Sequence, residues 1–273
     1  HNVFISVTHY SSNLILFCGL KMSENNSSEI GINNLRDLGG KKTSGKKTLK
    51  KGLFLRCAAP TEWNDSVKKQ ITALKKPLII DFRGIQEEKN NPSKIPKKYL
   101  SKIVHLPIEP KVTELLKSLS EVDKSKTNKI DKIFQNAYRK YTIENIQTFE
   151  AFFDILFDNP DSTIMFHCTA GKDRTGIISA LLLSLANVST SDIIKNYTES
   201  EIAITKLVDE FLEKSRQRGG DTASYARMLK CPAETMETAL LSVVDGYGDT
   251  YNYLKNAGLT DENLTKLSER LTE

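Results

Sequence analysis

The stretch "HCTAGKDRTG" (His167 to Gly176) sets one thiol, two glycines and the charged residues Lys172, Asp173 and Arg174 close together. It follows the apolar run "TIMFHC" and opens the apolar run "TGIISALLLSLA", the pattern of a strand, a tight turn and a helix. In that frame Cys168 ends the strand. The backbone from Thr169 through Ala170, Gly171, Lys172 and Asp173 to Arg174 then wraps its N–H groups around one point, and the helix dipole adds to them. Such a place attracts a dianion. Gly171 lets the backbone approach closely because it has no Cβ. The planar fork of Arg174, brought back over the sulfur by the turn, suits two phosphate oxygens. The same field favours the thiolate, the nucleophilic form of cysteine. These are the parts for phosphoryl transfer through a cysteinyl-phosphate. The loop itself supplies the charge stabilisation, so neither a metal nor a cofactor is expected.

The rest of the chain must position this loop. With 273 residues it can bury a sizeable core. A net charge of +5 tolerates anionic partners. No basic stripe interleaved with aromatics is present, so no nucleic-acid partner is expected. "LFLR" from Leu53, "PLIIDFRG" from Pro77 and "KIVHLPI" from Lys102 read as strands. "TEWNDSVKKQITALKK" reads as a helix with Thr61 as its cap, and residues 112–122, 128–141 and 143–157 read as further helices. "QEEKNNPSKIPKKY" between two strands reads as a loop. Strands alternating with helices predict an α/β fold: a parallel-type central sheet flanked by helices, with a helical C-terminal half. Ligands in such sheets bind beyond the carboxyl ends of the strands, where Cys168 falls.

The four cysteines at 18, 57, 168 and 231 form no CxxC pair and suit a reducing compartment, so the expected location is cytoplasmic. Residues 1–29 read as a poorly ordered N-terminal extension and 30–273 as the catalytic domain. The apolar piece Leu14 to Leu20 is too short to span a bilayer, so no stable membrane insertion is expected; secretion is left open. The sequence does not fix the oligomeric state.

Cys-x5-Arg preceded by His and followed by Thr-Gly resembles the signature of the cysteine-dependent protein tyrosine phosphatases, in the HCxxGKDR version of bacterial and fungal members that also hydrolyse phosphoinositides. "NLRDLGG" (Asn34 to Gly40), "LFLRCA", "DFR" (Asp81 to Arg83) and "YGDTYNYLKNAGLT" extend the likeness from about Ile32 to the end. The resemblance implies the Cys-phosphatase fold and substrates that are phosphotyrosine proteins or phosphoinositides. Cys168 would be the nucleophile and Arg174 the phosphate ligand, with Thr169 to Lys172 and Thr175 around the substrate.

The leaving group needs a proton donor, and no Trp-Pro-Asp loop is present. Two candidates stand: Asp173, which the resemblance favours, and Asp81, whose strand end should face the same crevice. The other reading of Asp81 is an ion pair with Arg83 or Arg36 alone. His167 either orients the loop by hydrogen bonding or is a core histidine. Thr175 either donates to the sulfur or is merely a first-turn residue. Arg36 and Asp37 would fix the loop abutting the site. Lys172 either meets a further phosphate on an inositol ring or is a solvated charge. The helices between 112 and 141 either form a lid or pack peripherally. Cys57 is either a buried hydrophobe or a partner for a reversible disulfide with Cys168. A phosphate-binding module with weak or no turnover and a sulfur-transfer enzyme are the alternatives, the second opposed by Arg174-Thr175-Gly176.

Overall fold

Short apolar runs bounded by Pro, Gly and polar residues form the strands. The computed structural model describes residues 31–111, 127–217, 226 and 229–273. Its strands are β1 (Arg36–Asp37), β2 (Phe54–Ala58), β3 (Leu78–Asp81), β4 (Lys102–His105) and β5 (Ile164–Cys168), in the order β1-β2-β5-β3-β4. Only β1 is antiparallel to its neighbour; β2, β5, β3 and β4 are parallel. The central strand is therefore the one that ends in Cys168.

Side chains alternate across the sheet, and the two faces have different fates. Phe54, Leu78, Ile80, Ile164, Phe166 and Cys168 face the larger core. Helices cover that side: α3 (Thr127–Glu144), α4 (Ile146–Asp158), α5 (Asp173–Leu185), α6 (Thr190–Thr198), α9 (Ala233–Tyr247), α10 (Thr250–Asn256) and α11 (Asp261–Leu271). Between α6 and α9 run the short α7 (Ser200–Ala203) and α8 (Thr205–Gln217). Helix α5 is apolar nearly all round and is buried accordingly. Leu55, Cys57, Ile79 and Met165 face a smaller core closed by Val67 and Ile71 of α1 (Asp65–Thr72). The expected α/β architecture is the observed one.

Several local expectations change. Helix α1 is capped by Asn64, whose side chain accepts from the Val67 N–H, and not by Thr61. The stretch read as a loop contains α2 (Ile85–Asn90) and a 3-10 turn at Lys97–Tyr99. Helix α2 buries no residue, so it carries no apolar periodicity to read; the glutamate half of a capping box, with Gly84 N–H donating to Glu87 Oε2 at 2.9 Å, starts it. The expected N-terminal extension and residues 112–126 of the expected lid lie outside the described residues. Among the described residues no helix is long and apolar enough to cross a membrane.

Register assigns Asp81 and Cys57 to their faces. Both pair laterally with His167, one residue before Cys168, so all three lie on the α1 side of the sheet. The expectation that Asp81 faces the crevice of Cys168 is therefore corrected: it points to the opposite face. There it is ion-paired with Arg83 at 2.6 Å, which holds its carboxyl below the usual range although burial opposes this. A Cys57–Cys168 disulfide is opposed by the same parity, and Cys57 sits as a fully buried hydrophobe.

His167 is buried with Nδ1 3.6 Å from Asp81 Oδ1 and 3.2 Å from the Cys168 carbonyl oxygen. Desolvation pushes its pKa from 6.5 down to about 4, and the Asp81 charge only partly offsets this. The folded value lies below the unfolded one, so the unfolded chain takes up the proton first. The stability carried by neutral His167 is complete above pH 6.5 and is lost as pH falls toward 4. Denaturant titrations across that window should show a loss on the order of 3 kcal/mol, and His167→Gln should flatten it. Equal slopes for the two proteins would contradict this assignment.

Candidate active site

The turn after β5 is held against β2 by a glycine that nothing else can replace. Gly171 has φ +66°, and a Cβ there would lie 2.1 Å from the Cys57 carbonyl oxygen and 2.7 Å from the Ala58 nitrogen. Its carbonyl and those beside it are then pinned from outside. Asn34 Nδ2 donates to the Ala170 and Gly171 oxygens, both at 2.9 Å. Arg56 Nη2 donates to the Gly171 oxygen at 2.7 Å and to the Lys172 oxygen at 3.4 Å. In a trans peptide the N–H points opposite to the C=O. The N–H groups of Gly171, Lys172 and Asp173 are thereby turned away from Asn34 and Arg56.

The pins are themselves braced. Asn34 sits at φ 55°, a left-handed conformation that asparagine tolerates. Its Oδ1 accepts from Arg36, whose Nη2 reaches the Asn196 carbonyl at 2.8 Å and Ser200 Oγ at 3.0 Å. Arg56 Nη1 donates to Asn196 Oδ1 at 2.7 Å. Arg36 and Arg56 are direct partners across β1 and β2. Burial, with the charge of Arg56, lowers Arg36 to about 9; burial lowers Arg56 to about 10. Asp37 accepts from the N–H groups of Gly39 at 2.7 Å and Gly52 at 2.6 Å, fixing the adjoining turn.

Arg174 is gripped chiefly by its Nη1–Nη2 edge. Nη1 lies 2.5 Å from Glu87 Oε2 and Nη2 3.0 Å from Glu87 Oε1, while Nη1 also donates to the Ile108 oxygen at 2.9 Å. The Thr169 hydroxyl donates to the same carboxylate. Nε has no partner among the described residues, and Nη2 adds a long contact to Thr169 Oγ1 at 3.4 Å, so Nε is the donor left for an anion on the Nε–Nη2 edge. Burial disfavours the guanidinium charge, but Glu87 and the Cys168 sulfur outweigh it and raise the Arg174 pKa. Glu87 is lowered in return, against its own desolvation.

Asp173 is the first residue of α5, and its side chain is one-third exposed at 34%. The Tyr138 hydroxyl donates to its Oδ1, and Lys172 Nζ lies 3.2 Å from the same oxygen. Lys172 is buried and also donates to the Lys230 carbonyl at 3.0 Å, so the solvated-charge reading is corrected. Thr175 is buried, and its hydroxyl has no hydrogen-bond partner among the described residues; the expected donation to the Cys168 sulfur is not made. Cys231 is a buried thiol pushed up to about 12 by desolvation, in keeping with a packing role.

Sequence reasoning missed Asn34, Glu87, Tyr138, Asn196, Tyr197 and Ser200, and it gave Arg56 no task. Glu87 had one signal, a glutamate three residues after a glycine that could start a helix. The others come from segments far from the loop in sequence. Among the described residues no group of three His, Cys, Asp or Glu could hold a metal ion.

Gly171→Ala should cost about 100-fold in kcat/KM, the scale expected when catalytic groups shift by about 1 Å. Wild-type kinetics in that variant would show that the close approach to β2 is dispensable.

A profile of the tyrosine phosphatase family matches residues 29–273. The chain is 25% identical over 226 residues to a Cupriavidus necator protein provisionally named a tyrosine-protein phosphatase, covering 83% of this chain and 81% of that one. It is 27% identical over 223 residues to a tyrosine-protein phosphatase of Nostoc commune, covering 80% and 74%. A shorter match, 28% over 115 residues, covers 38% of this chain and 42% of the triple specificity protein phosphatase PtpB of Mycobacterium tuberculosis. With a strand-ending cysteine, a pinned loop and an arginine fork in place, and with that match across nearly all of its length, this chain belongs to the tyrosine phosphatase family.

Proposed function

We propose that this phosphatase hydrolyses phosphate monoesters, phosphotyrosine first, through a cysteinyl-phosphate on Cys168. The observation that carries the reading is the outward pinning of the Ala170, Gly171 and Lys172 carbonyls. It supports an anion site on the concave side of the turn, where loop N–H groups and the Nε side of Arg174 receive the phosphate oxygens.

In the first step the Cys168 thiolate attacks phosphorus. The S–P bond forms, and the bond from phosphorus to the leaving oxygen breaks. Its electron pair stays on that oxygen, which takes the proton of Asp173. In the second step water attacks phosphorus, the S–P bond breaks, and Asp173 recovers a proton from the water. Asp173 is preferred over Asp81 because its carboxyl is partly exposed beside the loop, whereas Asp81 is ion-paired on the other face of the sheet. His167, Arg36 and Asp37 take supporting roles in holding the loop.

Phosphoinositide turnover is a second reading and rests on Lys172 as a further cation. The Lys172 ammonium already meets the Lys230 carbonyl and Asp173, which favours the phosphotyrosine reading. A phosphate-binding module without turnover is separated by the nucleophile: Cys168→Ser should abolish phosphate release from p-nitrophenyl phosphate. Asp173→Asn should slow a phosphotyrosine peptide by about 100-fold and p-nitrophenyl phosphate, whose leaving group needs little protonation, much less. Leaving-group dependence in Asp81→Asn and none in Asp173→Asn would overturn the assignment of the proton donor.

A further inference from the structure

Two buried tyrosines stand behind Asp173, and the loop chemistry described so far gives them no task. Tyr138 comes from α3 and Tyr197 from α6. Tyr138 is 4% exposed and Tyr197 1%. Their rings meet edge to face at 5.8 Å, and Tyr138 meets Tyr141 in the same manner at 6.2 Å. An aromatic wall of this kind would be served as well by phenylalanine, since each buried hydroxyl must find a partner. Both hydroxyls do find one. Tyr138 donates to Asp173 Oδ1, and the Tyr138 and Tyr197 oxygens lie 2.8 Å apart.

Proton counting fixes the direction of this chain. A phenol has one proton to give. Tyr138 spends its proton on the Asp173 carboxyl, which when ionised can only accept. Tyr197 must then donate to Tyr138. The hydroxyls are ordered Tyr197 to Tyr138 to Asp173, each bond polarising the next. Lys172 Nζ lies beside the same Oδ1, at 3.2 Å. Both donors therefore meet Oδ1 of the carboxyl, and no hydrogen bond to Oδ2 is made among the described residues. In the protonated acid the ammonium beside Oδ1 disfavours a proton on that oxygen, which goes on accepting from Tyr138. The proton is left on Oδ2, the oxygen free to turn to the leaving group.

We propose that Tyr138, supported by Tyr197, is a positioning residue for proton delivery: it holds Asp173 by Oδ1 so that the transferable proton resides on Oδ2. This rests on the assignment of Asp173 as proton donor. Tyr138 keeps its own proton throughout. In the first step the Oδ2 proton passes to the leaving oxygen, and the charge left on the carboxylate is stabilised at Oδ1. In the second step Oδ2 takes a proton back from the attacking water. The tyrosine neither touches substrate nor changes protonation state, so its removal should cost proton delivery and leave substrate binding alone.

The test compares wild type, Tyr138→Phe, Asp173→Asn and the double variant on phenyl phosphate and p-nitrophenyl phosphate. The account expects Tyr138→Phe to lower kcat on phenyl phosphate by about tenfold, with a clearly smaller loss on p-nitrophenyl phosphate and an unchanged KM. The double variant should be no slower than Asp173→Asn alone. A merely structural tyrosine would lower both substrates alike, and that result, or a double variant slower by the product of the single losses, overturns the proposal. If Asp173→Asn itself shows no leaving-group dependence, the assignment of the donor fails and takes the proposal with it; a selective Asp173→Asn beside a uniform Tyr138→Phe sinks the proposal alone. Should Tyr138→Phe fold poorly, Tyr197→Phe gives the same reading, a smaller but equally selective loss, and a uniform loss there counts equally against the proposal.

Discussion

A peptide plane cannot point its carbonyl and its N–H the same way, and the site depends on that constraint. Asn34 and Arg56 take the Ala170, Gly171 and Lys172 carbonyls on one side of the turn. The opposite side is left with donors. Desolvating Arg56 is costly, as its lowered pKa of about 10 shows, and hydrogen bonds to its protons offset part of that cost. Neutral acceptors take the Nη1 and Nη2 protons: loop carbonyls, Asn196 Oδ1 and Ser200 Oγ; Nε has no partner among the described residues. No carboxylate is ion-paired with Arg56 among the described residues, so its charge adds to the positive field under the loop rather than being cancelled locally. The Cys168 sulfur makes the largest of the interactions that favour its protonated form. A dianion arriving on the concave side would meet the same field.

Charge on the other side is handled differently. Glu87 grips Arg174 by the Nη1–Nη2 edge and also ties in Thr169 and the Gly84 N–H. One carboxylate thus links the start of α2, the loop and the arginine. A bidentate grip fixes the plane of the guanidinium while leaving its second edge in place for an anion. Two arginines near one thiol are therefore used in opposite ways: Arg56 shapes the backbone from behind, and Arg174 is oriented from the side to present its fork.

What was legible in the sequence follows from which interactions are local. Cys168, Gly171 and Arg174 lie in one turn, so spacing alone brings them together, and the apolar runs around them give the central strand and the core helix. Asp81 was misplaced because only strand register tells which face a residue takes; a shift of one residue moves it to the other side of the sheet. Glu87 was lost in a segment read as a loop because α2 buries nothing and shows no periodicity. Tyr138 and Asn34 act on the loop from 35 and 136 or more residues away, across contacts that no local pattern encodes. Thr175 looked like a donor to the sulfur by position in the motif, yet its hydroxyl is buried without a partner among the described residues.

The pinned loop makes its most direct commitment about where an oxyanion must sit. A crystal structure of the wild-type protein with orthovanadate would test it. Vanadium should be bonded to Cys168 Sγ, with its equatorial oxygens about 2.7–3.1 Å from loop N–H groups and the Nε–Nη2 edge of Arg174. The Ala170, Gly171 and Lys172 carbonyls should still be bound to Asn34 and Arg56. Vanadate held elsewhere, or a loop whose carbonyls leave Asn34 and Arg56 when the anion enters, would contradict it.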